Sequence, residues 1–223
     1  VFILLSGFSV WKKLNSKSYS SDFLVIGSGI AGLTFAIKVS QFGTVNIVTK
    51  KKNNDSNTNY AQGGIASVLD PADSTEKHIA DTLNSGVGRC NIAAVRSIVE
   101  NGPQRIYELI EWGVHFSTSE DSPVPDHLSL GREGGHSFNR IIHAADSTGR
   151  EVERALLDKI SQISNIQIFE DHTAIDLLTE HHLSGGYDPI TGPTCYGAYV
   201  LENRTRDIHT FCARITMIAS GGA

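Results

Sequence analysis

A short apolar run, Phe23-Leu24-Val25-Ile26, stops at Gly27 and gives way to Ile30, Leu33 and Ile37 at helical spacing. The run predicts a buried strand, and the recurrence predicts an amphipathic helix ending near Gly43. Val45 to Val48 is a second buried strand. Strand, helix and strand within ~30 residues make a βαβ unit, which implies parallel pairing. Ile79 and Leu83 mark a helix that stops near Gly86, with Asp73 and Glu76 in capping-box register ahead of it. Val95, Ile98 and Val99 predict another helix ending at Gly102. Pro103 then suits the first position of a third, carrying Ile106, Leu109 and Ile110 as far as Gly113. Thr148 and Glu151 form a second capping box before the stripe Val152, Leu156, Ile160 and Ile163. Strand-like runs follow at 166–169, 174–178, 196–201 and 208–218, the last two around a turn at Asn203–Asp207. The segments 50–64, 117–139 and 181–194 show no period and read as loops. The whole predicts an α/β fold, with a parallel sheet plus an accessory antiparallel β segment.

Composition narrows the classes. The chain has 223 residues, 40% of them hydrophobic and 19% charged, which is ordinary for a folded domain. The net charge of −5 argues against a nucleic-acid partner bound through a basic surface. No apolar run reaches the ~20 residues that a membrane helix needs. Cys90, Cys195 and Cys212 are odd in number and lack a C-x-x-C spacing, so neither a disulfide framework nor a Cys-rich zinc site is expected. The nine histidines show no H-E-x-x-H pattern, and no metal site is expected. Folded structure is expected from Asp22 onward. Residues 1–21 read as a disordered tail, a sequence artefact or the remnant of a targeting peptide. Their apolar stretch precedes Lys12 and Lys13, the reverse of a secretory signal.

Three motifs could carry chemistry. Gly27-Ser28-Gly29-Ile30-Ala31-Gly32 is a G-x-G-x-x-G between strand and helix. In such a turn the first Gly permits the bend and the second lets backbone approach a pyrophosphate. The third lets helix and strand pack closely, and the helix N-terminus supplies oriented N–H groups. A nicotinamide-dinucleotide site would have an acid about 20 positions on. Here the second strand ends Val48-Thr49-Lys50, so Lys50 either approaches the cofactor or is the first of three solvated lysines. The second motif is Ser56-Asn57-Thr58-Asn59-Tyr60-Ala61-Gln62-Gly63-Gly64, either a polar surface loop or a loop passing close to a flat ligand. The third is Gly131-Arg132-Glu133-Gly134-Gly135-His136, either a polar turn or a device for orienting a charged substrate. Arg140, His143, Asp146 and Arg150 follow, densely charged ahead of a capped helix, and are either partners in structural salt bridges or groups that carry chemistry.

In order and nearly without gaps from Asp22 to Ala223, these motifs resemble the L-aspartate oxidase family, within the fumarate reductase/succinate dehydrogenase flavoproteins. The resemblance rests on Gly27–Gly32, on S-N-T-N-Y-A-Q-G-G-I-A (Ser56–Ala66), on R-E-G-G-H-S (Arg132–Ser137), on H-A-A-D-S-T-G-R-E-V-E (His143–Glu153) and on the final A-S-G-G-A. It implies a Rossmann-like FAD-binding domain over 22–223, truncated, with the capping and helical C-terminal domains lying beyond it. It implies FAD as cofactor, contacted by Gly27, Ser28, Gly29, Ile30, Ala31 and Gly32, by Lys50, and by Asn57, Thr58, Asn59, Tyr60, Ala61, Gln62, Gly63 and Gly64.

Glu133 matches the family's substrate-orienting glutamate, where a carboxylate would favour the ammonium group of aspartate. Membrane-complex relatives attach flavin covalently through a His at the position of Asn57, so non-covalent FAD is expected here. The implied reaction is oxidation of L-aspartate to iminoaspartate, with oxygen (giving hydrogen peroxide) or fumarate as acceptor. It would be the first step of NAD biosynthesis through quinolinate, with a functional link to quinolinate synthase. The catalytic arginine is expected downstream, so the fragment by itself would be inactive. The alternatives are a fumarate reductase or succinate dehydrogenase flavoprotein and a non-catalytic dinucleotide-binding module. The expected compartment is the cytoplasm, or a plastid.

Overall fold

Residues 16–52, 55–180 and 194–222 are described by a computed structural model. The elements are β1 (Ser18–Ile26), α1 (Ile30–Val39), β2 (Val45–Val48), α2 (Asn57–Tyr60), β3 (Ile65–Ala66), α3 (Thr75–Ser85), α4 (Ile92–Glu111), β4 (Leu130–Gly131), β5 (Ile141–Ile142), α5 (Thr148–Ser161), β6 (Ile166–Phe169), β7 (His172–Thr179), β8 (Cys195–Glu202) and β9 (Ile208–Ile218).

Leu24 and Val25 are neighbours that point to opposite sides of β1, and both are fully buried. A strand covered on both faces reads as an unbroken apolar run, which is why 23–26 shows no alternation. It lies inside a six-stranded sheet of order β6-β2-β1-β9-β8-β7. β6, β2, β1 and β9 pair in parallel, and β7, β8 and β9 pair antiparallel. One face packs Val25, Val45 and Ile47 against Leu33 and Ile37 of α1, Ile106 and Leu109 of α4, and Val152, Leu156 and Ile160 of α5. The other packs Leu24, Val48 and Phe169 against Ala198, Val200 and Phe211 of the antiparallel strands. A second sheet, β3-β5-β4, is short and antiparallel. The expected class, a parallel Rossmann-like sheet with an antiparallel accessory, is the one observed. Among the described residues, no helix is long and apolar enough to cross a membrane.

Four local expectations are corrected. Strand β1 begins at Ser18 rather than Asp22, because Ser18–Ser21 pair with Thr210–Ala213 of β9. Tyr19 stacks on Phe211 at 4.6 Å, giving that polar stretch an anchor its sequence does not advertise. Residues 1–15 and the loop 181–193, with His181 and His182, lie outside the described residues. Pro103 starts no new helix, since α4 runs through it from Ile92 to Glu111. The proline forfeits one backbone hydrogen bond at a cost of about 3 kcal/mol. Val99, Ile106 and Leu109, buried along one face across it, each return about 1.5–3 kcal/mol.

Neither capping box forms. Ser74, not Asp73, caps α3 by accepting from the Lys77 N–H. The N-cap of α5 is Ser147, which makes no side-chain cap, while Thr148 Oγ1 accepts from Ala144 N–H and Glu151 accepts from His115 N–H. Asp73 and Glu151 are taken by tertiary partners, Arg140 and His115, and Thr148 by the nearby Ala144.

Candidate functional site

The carboxyl ends of β1, β2 and β9 converge on a cleft of about 440 Å³, the place where an open α/β sheet binds its ligands. Gly27 makes its floor. Its φ of +115° lies in the region L side chains avoid, and an added Cβ would lie 2.2 Å from the Ala219 carbonyl oxygen. The Ser28 hydroxyl is 2.9 Å from that of Thr49, tying the turn after β1 to the end of β2. Helix α1 opens into the cleft with no acidic residue in its first turn. Lys50 and Lys51 stand on the rim, and Lys51 pairs with Asp55 at 3.0 Å. That hydrogen bond draws the Asp55 carboxyl below its ordinary value and raises the Lys51 ammonium above its own.

The 56–64 segment forms the opposite wall. Ser56 caps the single turn α2, accepting from the N–H groups of Thr58 and Asn59. Thr58 Oγ1 accepts from Ile30 N–H at 3.0 Å, so this segment caps the first turn of α1. The Ser56 hydroxyl also donates to Glu153 of α5, a buried carboxyl whose second oxygen has no partner among the described groups. Burial pushes the Glu153 carboxyl up, against the opposing pull of Ser56. Gly149 at the head of α5 donates its N–H to the Ala61 carbonyl at 3.0 Å.

Of the sequence-predicted residues, Gly27, Ser28, Gly29, Ile30, Ala31, Lys50, Asn57, Thr58 and Tyr60 line the cleft. Gly32 lies beneath it, where its Cβ would meet the Gly27 carbonyl. Asn59, Ala61, Gln62, Gly63 and Gly64 do not line it. Gly63 and Gly64 lead instead into the short sheet, and a Cβ at Gly63 would lie 3.7 Å from Glu133 Oε1. Glu133 is exposed, outside the cleft but beside the loop that walls it.

Sequence reasoning did not give site roles to His172, Thr173 and Ala174 at the start of β7, nor to Ala219, Ser220 and Gly221 after β9, all of which line the cleft. The glycines of A-S-G-G were the available signal for the second group. Nothing local marked His172, which is held at the site where its N–H donates to the Thr49 carbonyl at 2.9 Å and the Asp171 N–H donates to the Lys51 carbonyl at 3.2 Å.

Two other features are explained by their own bonds. His172, Glu202 and His209 bring ligand-type atoms within 4.8 Å of one another. His209 Nδ1 accepts from Lys17 N–H at 3.2 Å, so its proton sits on Nε2, facing Glu202 at 3.1 Å. A metal would need that Nε2 lone pair. A hollow of about 510 Å³ beside Asp171 and Arg204 is open and polar, and these two charges pair with each other at 2.7 Å.

Comparison with known proteins follows the same lines. The family model described as FAD binding domain matches residues 22–223. The chain is 46% identical to the chloroplastic L-aspartate oxidase of Arabidopsis thaliana over 210 residues, which is 94% of this chain and 31% of that protein. It is 42% identical to the L-aspartate oxidase of Vibrio cholerae over 209 residues, 93% of this chain and 38% of that one. Among solved structures, an E245Q variant of E. coli quinol fumarate reductase FrdA superposes with a TM-score of 0.81 at 28% identity, covering 93% of this chain and 33% of the other. The chain thus spans about a third of the length of the curated relatives it matches.

Proposed function

The chain belongs to the FAD binding domain family, and from that premise we propose that it is the FAD-binding part of an L-aspartate oxidase. The cleft fits the cofactor. A helix N-terminus free of acids, the Ser28 hydroxyl and Lys50 on the rim make a donor set suited to a pyrophosphate. Backbone at Gly29, where an added Cβ would meet only Thr58 Oγ1 at 3.4 Å, leaves room for close approach. Lys50 stands where a nicotinamide-dinucleotide site would carry an acid. Asn57 lines the cleft, and an amide cannot form the covalent flavin bond that an imidazole forms, so the cofactor is held without one.

The observation that carries the aspartate reading is the position of Glu133, its carboxylate against Gly63 in the loop continuous with the cleft wall. There it attracts the substrate ammonium and distinguishes aspartate from a dicarboxylate that lacks one. Bound FAD would supply a two-electron acceptor that oxygen or fumarate reoxidises, so that aspartate leaves as iminoaspartate, the precursor that quinolinate synthase uses for NAD biosynthesis.

The full-length protein, purified with FAD, is expected to release its flavin on acid precipitation and to produce peroxide on L-aspartate but not on succinate. Turnover of succinate alone would move it to the fumarate reductase/succinate dehydrogenase branch. Flavin remaining on the precipitate would refute non-covalent binding.

A further inference from the structure

No described hydrogen bond or ion pair holds the Glu133 carboxylate itself, so its place depends on the backbone that carries it. That backbone is a turn, closed where His136 N–H donates to the Glu133 carbonyl at 3.2 Å. Gly135 gives the turn its positive φ of +87° and lies so close to α3 that a Cβ would be 2.8 Å from Ser85 Oγ. The next residue is bound twice to one atom. Ser137 donates its N–H at 2.8 Å and its hydroxyl at 2.7 Å to Asp81 Oδ2, on α3. The same oxygen takes Arg140 Nη1 at 2.6 Å. Arg140 is fully buried and is completed by Asp73, whose two oxygens meet its Nε and Nη2 at 2.8 Å each. Asp73 bonds the guanidinium, whereas Asp81 bonds both the guanidinium and the turn. The hydrogen bonds of Ser137, and then the Arg140 charge, hold the Asp81 carboxyl well below its ordinary range, so it is ionised and a strong acceptor.

We propose that Asp81 is a positioning residue for the reaction. It fixes the 133–137 turn so that Glu133 stands beside Gly63, and through Glu133 it sets the preference for an amino dicarboxylate over one without an ammonium group. The proposal rests on the role given to Glu133 above.

The test uses the full-length, FAD-loaded protein and reads the ratio of kcat/KM for L-aspartate oxidation to kcat/KM for fumarate reduction. Glu133→Gln, Asp81→Asn, their double variant and Ser137→Ala are compared. Asp81→Asn is expected to lower the ratio about tenfold, chiefly through a higher KM for aspartate, because it weakens bonds to a charged acceptor. The double variant is expected to fall no further than Glu133→Gln alone. Ser137→Ala, which leaves the buried ion cluster intact and decides the matter if Asp81→Asn fails to fold, is expected to lower the ratio about threefold. A lowered ratio in Glu133→Gln with none in Asp81→Asn or Ser137→Ala would overturn the positioning role alone. So would losses that multiply in the double variant. An unchanged ratio in Glu133→Gln would overturn the role of Glu133, and that of Asp81 with it.

Discussion

The cleft floor and the Glu133 turn are built in opposite ways. The floor is a βαβ unit, in which a dozen neighbouring residues supply strand, glycine turn and helix N-terminus. Its long-range ties are mainly backbone ones: β1 pairs with β2 and β9, Gly27 packs against Ala219, and Ser28 meets Thr49. The Glu133 turn has almost no regular structure. It is held by a buried guanidinium and two carboxylates brought together from 67 and 59 residues away. Backbone geometry suffices to receive a cofactor whose phosphates look for N–H groups. Orienting one carboxylate toward one ammonium needs a rigid tertiary clamp, and charge-assisted bonds make one.

Breaking the clamp should therefore cost the most. Arg140→Leu leaves Asp73 and Asp81 without their cation and is expected to lose about 3–5 kcal/mol, read by denaturant unfolding of the FAD-loaded protein. A loss under about 1 kcal/mol would mean that the clamp holds little. Gly27→Ala attacks the floor. Strain and overpacking against Ala219 are expected to cost about 1–3 kcal/mol and to lower the FAD retained through gel filtration. Full retention would show that the close approach is not required.

Ser28→Ala removes one neutral bond and should cost about 1 kcal/mol. The pH dependence separates the regions further. The folded Asp81 carboxyl ionises more readily than the unfolded one. Its contribution is therefore complete above the ordinary value of 3.8 and is lost as the pH falls below it. Glu153, bonded to Ser56 in the cleft wall, has the reverse sign. Its raised pKa favours the folded state below the ordinary 4.5, and that advantage is lost as the pH rises through the raised value. Glu153→Gln should flatten the second change and leave the first in place. A pH–stability curve identical to the parent's would contradict the assignment.

The same contrast explains what could be read from the sequence. Strands β1 and β2, helix α1 and the glycine turn were legible because their reasons are local: an unbroken apolar run, helical spacing, a motif of fixed spacing. The antiparallel strands around Asn203–Asp207 were legible for the same reason. Asp73 reads locally as a helix cap, and only the fold reveals that it is a partner of Arg140. Continuity of α4 through Pro103 depends on what its buried face packs against, and the start of β1 at Ser18 depends on Phe211. The His172 wall of the cleft was invisible because backbone bonds from Asp171 and His172 to Lys51 and Thr49, more than a hundred residues earlier in the chain, bring it there.

We propose that one cleft and one clamped glutamate together receive FAD and aspartate. This is tested most directly by mixing the full-length, FAD-loaded protein with L-aspartate under anaerobic conditions and following the visible flavin absorbance. Bleaching by L-aspartate but not by succinate, lost or greatly slowed in Glu133→Gln, is the predicted result. Bleaching by succinate and not by L-aspartate would contradict it.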